Sequence, residues 1–211
     1  MAPGKLITFE GGEGAGKSTQ VMRLAVRLRA RGIDPVLTRE PGGAPGAEEI
    51  RALLVQGSPG RWTPMTEALL HYAARAEHLE QTVRPALNQG RWVISDRFAD
   101  STLAYQGYGH GLGRALIEPL HRLVVGGLAP DLTLILDVPV PEGLKRAGTR
   151  TGNETRYEQM DMGFHERLRQ GFLEIAAREP GRCAVIDASK NVDAVEAQVW
   201  AAVESWLLAK G

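Results

Sequence analysis

An α/β fold, three layers deep with a five-stranded parallel sheet between two layers of helices, is predicted by the alternation of short apolar runs with longer stretches of helical spacing. Two further observations support it. The residues directly after the apolar runs are polar, as in open parallel sheets whose ligands sit beyond the carboxyl ends of the strands. The chain of 211 residues, 43% hydrophobic, suffices for one substantial core, so a single domain spanning 1–211 is expected.

The composition excludes several classes. The charges balance at 25 basic and 25 acidic residues, which gives no reason to expect nucleic acid or a membrane surface as partner, while leaving a small polyanion open. No apolar run approaches the length of a bilayer span. Cys183 is the only cysteine, and no signal-like segment follows Met1, so a reducing, cytoplasmic setting is expected.

The first strand, Leu6–Phe9, runs into Gly11-Gly12-Glu13-Gly14-Ala15-Gly16-Lys17-Ser18-Thr19 and then into a helix of about Lys17 to Arg31. Gly11, Gly16, Lys17 and Ser18 meet the G-x-x-x-x-G-K-[ST] spacing of a phosphate-binding loop. Glycines allow the backbone to turn its N–H groups toward phosphate oxygens, and the following helix adds its positive dipole end. Lys17 then reaches the outer phosphates and the Ser18 hydroxyl ligates Mg²⁺, which makes ATP with Mg²⁺ the expected cofactor set.

The second strand, Pro35–Thr38, delivers Arg39-Glu40-Pro41-Gly42-Gly43, either a tight turn over the strand ends or a solvated loop. A helix of about Pro64 to Leu87 carries its apolar stripe on Met65, Ala68, Leu69, Tyr72 and Ala76, with Glu67 and Arg75 off that stripe. His71 and Arg75, one turn apart, suit a planar heterocycle with carbonyl oxygens, or are a surface pair. The third strand, Trp92–Ser95, ends in Asp96-Arg97. The acid is placed to hold Mg²⁺ or to cap a helix, and the arginine to bind a phosphate bidentately. Ser101, Thr102, Tyr105 and Gln106 group hydroxyls and an amide that can face a base and sugar, or form a polar helix face.

Leu112–Val125 reads as a structural helix and Leu132–Asp137 as the fourth strand, after which Pro139 and Pro141 are expected to delay the next helix. The basic, glycine-containing segment at about 145–157, with Arg146, Arg150 and Arg156, is the candidate mobile lid, able to close cations over transferring phosphates; the alternative is an exposed loop. Phe164–Ala177, a fifth strand at Ala184–Ile186 and a helix over Val192–Leu208 complete the chain.

These motifs, in this order, resemble those of bacterial thymidylate kinases, through Phe9-Glu10-Gly11, Arg39-Glu40-Pro41-Gly42-Gly43, Tyr72-Ala73-Ala74-Arg75, Asp96-Arg97-Phe98, Ser101-Thr102-Leu103-Ala104-Tyr105-Gln106 and the arginine-rich lid. The resemblance implies a P-loop NTPase fold of the nucleoside monophosphate kinase kind, transfer of the γ-phosphate of ATP to dTMP, and a homodimer. It further implies that Arg97 holds the dTMP phosphate, Arg75 bonds the thymine, and Thr102 and Gln106 line the base, with Ser101 a further candidate contact to base or sugar. Tyr105 would lie beside the sugar, with Glu13 and Glu40 near the sugar hydroxyl and the metal, and Pro41 is a further candidate substrate-binding residue. Lys17, Arg97, Arg146, Arg150 and Arg156 become the expected catalytic set, because the loop holds Glu13, Gly14 and Ala15 but no arginine, as in the lid-arginine arrangement. Two positions depart from the family pattern: His71 stands where a base-stacking phenylalanine is common, and Ala44 where a hydroxyl residue is usual. The rival readings are another small phosphotransferase with a different acceptor, and a nucleotide-dependent switch or ATPase module.

Overall fold

In the computed structural model, which describes residues 4–149 and 155–208, five strands form one parallel sheet in the order β2-β3-β1-β4-β5. They are β1 Leu6–Glu10, β2 Val36–Arg39, β3 Val93–Asp96, β4 Leu132–Asp137 and β5 Cys183–Asp187. Each lies within a residue or two of its expected run. The helices are α1 Lys17–Arg29, α2 Pro45–Val55, α3 Pro64–His78, α4 Arg84–Asn88, α5 Ala99–Thr102, α6 Arg114–Val124, α7 Val140–Ala147, α8 Met162–Arg178 and α9 Val192–Val203.

Alternation along β1 builds both faces of the core. Leu6 points to one side, with Tyr72, Leu79, Phe98, Leu103, Phe172 and Ile175. Ile7 and Phe9 point to the other, where Leu24 and Leu28 of α1 meet Val195 and Val199 of α9. The strand order reverses around β1, which creates a crevice at the carboxyl edge of the sheet. Register fixes what reaches that edge: Phe9 pairs with Asp96, and Asp96 with Arg39, so the loops after β1, β2 and β3 leave the sheet side by side.

Three departures from expectation have local causes. The helix expected over Pro64–Leu87 is continuous but widens into a π-helical stretch at Leu79–Val83, ahead of Pro85, whose missing N–H removes a bond of the regular ladder. Pro139 and Pro141 do not delay α7: Pro139 is its N-cap and Pro141 sits in its first turn, where no amide partner is needed. Nothing in the apolar spacing announced α2, which Pro45 opens and which buries chiefly the small Ala47 together with Leu54 and Val55.

The phosphate-loop conformation depends on close backbone approach. Gly14 has φ +68°, and a Cβ there would lie 1.9 Å from the Gly143 carbonyl oxygen; a Cβ on Gly143 would lie 2.5 Å from the Glu13 oxygen. Thus α7 and the loop pack main chain against main chain. Gly143→Ala is expected to destabilise the protein by about 1–3 kcal/mol and to raise the KM for ATP, measured by thermal melting and by initial rates; an unchanged melting temperature would show that α7 can shift freely.

Candidate active site

The loop between β1 and α1 curls around the Lys17 side chain. Its ammonium donates to the carbonyls of Gly11 at 3.1 Å and Gly12 at 2.8 Å, bonds that a phosphate can replace. Burial, with Arg97 close by, lowers the Lys17 pKa to about 8. The Ser18 hydroxyl donates to Asp96 Oδ2 at 2.6 Å. A hydroxyl and a strand-end carboxylate in contact are hard oxygen donors of the kind Mg²⁺ prefers. Among the described residues no group of three or more His, Cys, Asp or Glu is arranged to hold a metal ion, so an ion at Ser18 and Asp96 would draw its remaining donors from phosphate oxygens and water.

Arg97 follows β3 with φ 70°, the one non-glycine residue with positive φ among the described residues. Its guanidinium reaches back to the loop, donating to the Gly11 carbonyl at 2.9 Å, to Ser101 Oγ at 3.1 Å and to Glu13 Oε2 at 3.2 Å. It also lies 4.9 Å from the centre of the Tyr105 ring, whose hydroxyl donates to Glu13. Burial raises the Glu13 pKa, but Arg97 and Lys17 outweigh it and leave the carboxyl below its ordinary range. Behind Arg97, burial with Asp100 nearby pushes the Glu10 carboxyl well above the usual carboxylate range.

A second ionic cluster forms the far wall. Arg75 of α3 donates through Nε to Glu40 Oε2 at 2.7 Å, and through Nη2 to the Phe98 carbonyl at 3.0 Å and Thr102 Oγ1 at 2.9 Å. Glu40 Oε1 also meets His78 Nδ1 at 2.9 Å, while His78 Nε2 bonds Thr38 Oγ1 at 2.7 Å. Burial opposes ionisation of Glu40, and Arg75 with His78 overcomes it, lowering the pKa. Two polar atoms of this wall, Arg75 Nη1 and Gln106 Oε1, are buried without a partner. Unpaired buried donors and acceptors are costly, and in a cleft they mark where a ligand bonds.

Glu67, expected off the core-facing stripe of α3, is fully buried. It accepts from Gln106 Nε2 at 2.7 Å, from His110 at 3.1 Å and from Arg156. Arg156 was expected on an open lid but is buried as well. Its Nε, Nη1 and Nη2 donate to the carbonyls of Ser58, Leu54 and Pro59 at 3.1, 3.1 and 2.9 Å. The physical reason is charge matching: Glu67 lies too deep to remain ionised without a cation beside it. Arg146 ends α7, bonded to Glu142 and to the Ala188 and Ser189 carbonyls at 2.8 and 3.3 Å. Arg150 and the 150–154 part of the expected lid lie outside the described residues.

His71 meets Tyr157, its Nε2 2.8 Å from the phenol oxygen. Burial, which outweighs the pull of Glu67, lowers the His71 pKa to about 4, so the ring is neutral at physiological pH. Glu13, Lys17, His71, Arg75, Arg97, Thr102, Tyr105 and Gln106 border one cleft of about 330 Å³ that also takes in Ser18, Asp96, Glu40, Pro41 and Ser101, whereas Arg146 and Arg156 are not among its lining residues. Arg51, Tyr157 and Glu158 line it too. Sequence reasoning missed them because they sit inside helical or basic stretches with no motif of their own; the position of Tyr157 and Glu158 directly after the lid arginines was the available signal.

A phosphate loop on the central strand of a β2-β3-β1-β4-β5 sheet, facing a cleft walled by arginines and carboxylates, defines a P-loop kinase. The family model for thymidylate kinase matches residues 9–199, and the chain belongs to the thymidylate kinase family. It is 58% identical to the thymidylate kinase of Caulobacter vibrioides over 199 residues, covering 94% of this chain and 95% of that one. It is 49% identical to that of Bradyrhizobium diazoefficiens over 207 residues, covering 97% and 91%. The crystal structure of thymidylate kinase from Ehrlichia chaffeensis superposes with a TM-score of 0.77 at 37% identity, covering 94% of this chain and 98% of that chain. The chain is accordingly a phosphotransferase.

The depressed pKa of His71 has a measurable signature. Because the folded value lies below the unfolded 6.5, the contribution of this residue to stability is present above pH 6.5 and is lost as pH falls toward about 4. Its ring resonances in a histidine-selective NMR titration are expected to stay those of a neutral imidazole from pH 8 to about 5.5; an ordinary midpoint near 6.5 would place the ring in water.

Proposed function

We propose that the cleft transfers the γ-phosphoryl group of ATP to the 5′-phosphate of dTMP, giving dTDP and ADP. The observation that carries the acceptor assignment is the pair of unpartnered atoms, the Arg75 Nη1 donor and the Gln106 Oε1 acceptor. A pyrimidine carrying a carbonyl next to a ring N–H offers the matching acceptor and donor: thymine O4 accepts from Arg75 and N3–H donates to Gln106. Cytosine reverses both and leaves each group unsatisfied. His71, neutral and held by Tyr157, supplies a flat ring in place of the phenylalanine common at that position.

The remaining roles follow from charge. Phosphate oxygens are already ionised, so the transfer needs alignment and neutralisation rather than a strong base. The loop amides and Lys17 orient the ATP phosphates, and Arg97 exchanges its bonds to Gly11 and Glu13 for the acceptor phosphate. Glu13 and Tyr105 flank the sugar. Mg²⁺, when bound, neutralises charge between the outer phosphates, and Ser18 and Asp96 would hold it. Arg146 and Arg150 are the cations we assign to the bridging oxygen, Arg146 only on release from Glu142 and the Ala188 and Ser189 carbonyls; Arg156, spent on Glu67, contributes by holding the wall.

An ADP-release assay across dTMP, dUMP, dCMP, AMP and GMP tests the reading. The highest kcat/KM is expected on dTMP, with dCMP lower by about 10³-fold or more; preference for a purine would overturn it. Arg150→Ala is expected to lower kcat by on the order of 10³-fold with little change in dTMP affinity, and near-normal turnover would remove that residue from the transfer step.

A further inference from the structure

Glu10, at the end of β1, has no exposed surface and no part in the steps above. Its two oxygens are nonetheless fully engaged, and both bonds lead to the turn that carries Arg97. Oε1 accepts the Phe98 amide at 2.8 Å, and Oε2 accepts the Ser101 hydroxyl. The same hydroxyl oxygen accepts from Arg97 Nη1 at 3.1 Å. The turn needs such anchors, because Arg97 sits at φ 70°, where a side-chain-bearing residue is strained by about 1–3 kcal/mol. Its amide is fixed to the Phe9 carbonyl at 2.9 Å and its carbonyl by Ser95 Oγ at 2.6 Å. Glu10 supplies the remaining restraint, on the residue that follows and on the guanidinium itself.

We propose that Glu10 is a positioning residue for the acceptor: acting through Arg97 and Ser101, it holds the left-handed turn so that the guanidinium is presented to the incoming monophosphate. The inference rests on the reading of Arg97 as the phosphate-holding residue. A side chain buried under the sheet edge thereby acts chiefly on affinity for the monophosphate, since Lys17 bonds the Gly11 and Gly12 carbonyls and makes no bond to Glu10 or to the Phe98 amide.

Steady-state kinetics of full-length Glu10→Ala and Glu10→Gln, varying dTMP and ATP separately, test this. Glu10→Ala is expected to raise the KM for dTMP about tenfold or more while that for ATP moves less than about twofold. Glu10→Gln, which keeps an oxygen for the Phe98 amide and a polar atom for Ser101, is expected to restore most of the loss. In an Arg97→Ala background the Glu10→Ala effect on dTMP should vanish, because the residue acts through the missing guanidinium. Equal rises in both KM values, or an effect that multiplies in full on Arg97→Ala, would overturn the proposal. If Glu10→Ala does not fold, Ser101→Ala removes the bridging hydroxyl alone, and the same dTMP-selective, non-additive pattern is expected of it; additivity with Arg97→Ala would count equally against the idea. A wild-type enzyme indifferent to dTMP, or an Arg97→Ala variant with unchanged dTMP KM, would instead remove the parent reading.

Discussion

Charge withdrawn from water has to be matched within a few ångströms, and the cleft is built around that constraint. Four carboxylates, Glu10, Glu13, Glu40 and Glu67, lie at or beneath its surface. Three are met by a cation: Arg97 for Glu13, Arg75 for Glu40, and Arg156 for Glu67. The fourth, Glu10, faces Asp100 and is pushed toward its neutral form. The arginines are therefore fixed in place before any nucleotide arrives, with little rotamer freedom left to lose on binding. Those meant for a ligand differ from those meant for the protein in what holds them. Lys17 and Arg97 bond loop carbonyls that phosphate oxygens can outcompete, whereas Arg156 is closed on all sides by main-chain acceptors and a buried acid.

The same constraint separates what the sequence could disclose from what it could not. The phosphate loop is local, with its glycines, lysine and serine adjacent in the chain, and the strands are short apolar runs, so both could be read directly. Asp96-Arg97 was legible because a charged pair ending an apolar strand is conspicuous. Glu67 and Arg156 were not, since their partnership spans 89 residues and neither breaks the local pattern. On a helix drawn in isolation Glu67 belongs to the solvent side; only the packing of Gln106, His110 and Arg156 against α3 turns it into a buried hub. His71 was legible as a ring one helical turn from Arg75, but its neutral state follows from burial, which no spacing reveals.

The two walls also differ in how they tolerate change. Removing Arg156 would strand Glu67 as an uncompensated buried charge, a loss of about 3–5 kcal/mol. The wall that holds Arg75 and Gln106 contains two buried atoms with no partner, so part of its hydrogen bonding is left for a ligand to complete. Binding of the acceptor should thus stabilise the fold as well as fill the cleft.

The pairing of Phe9 with Asp96 and of Asp96 with Arg39 has an evolutionary corollary. Successive side chains alternate between faces, so an insertion of a single codon within β3 would turn Asp96 to the opposite face and carry Arg97 about 3.3 Å along the strand axis. Changes of length should therefore be tolerated in the connections at the far edge of the sheet, while β1, β3 and β2, whose register sets the carboxyl edge, can change letters but not their count.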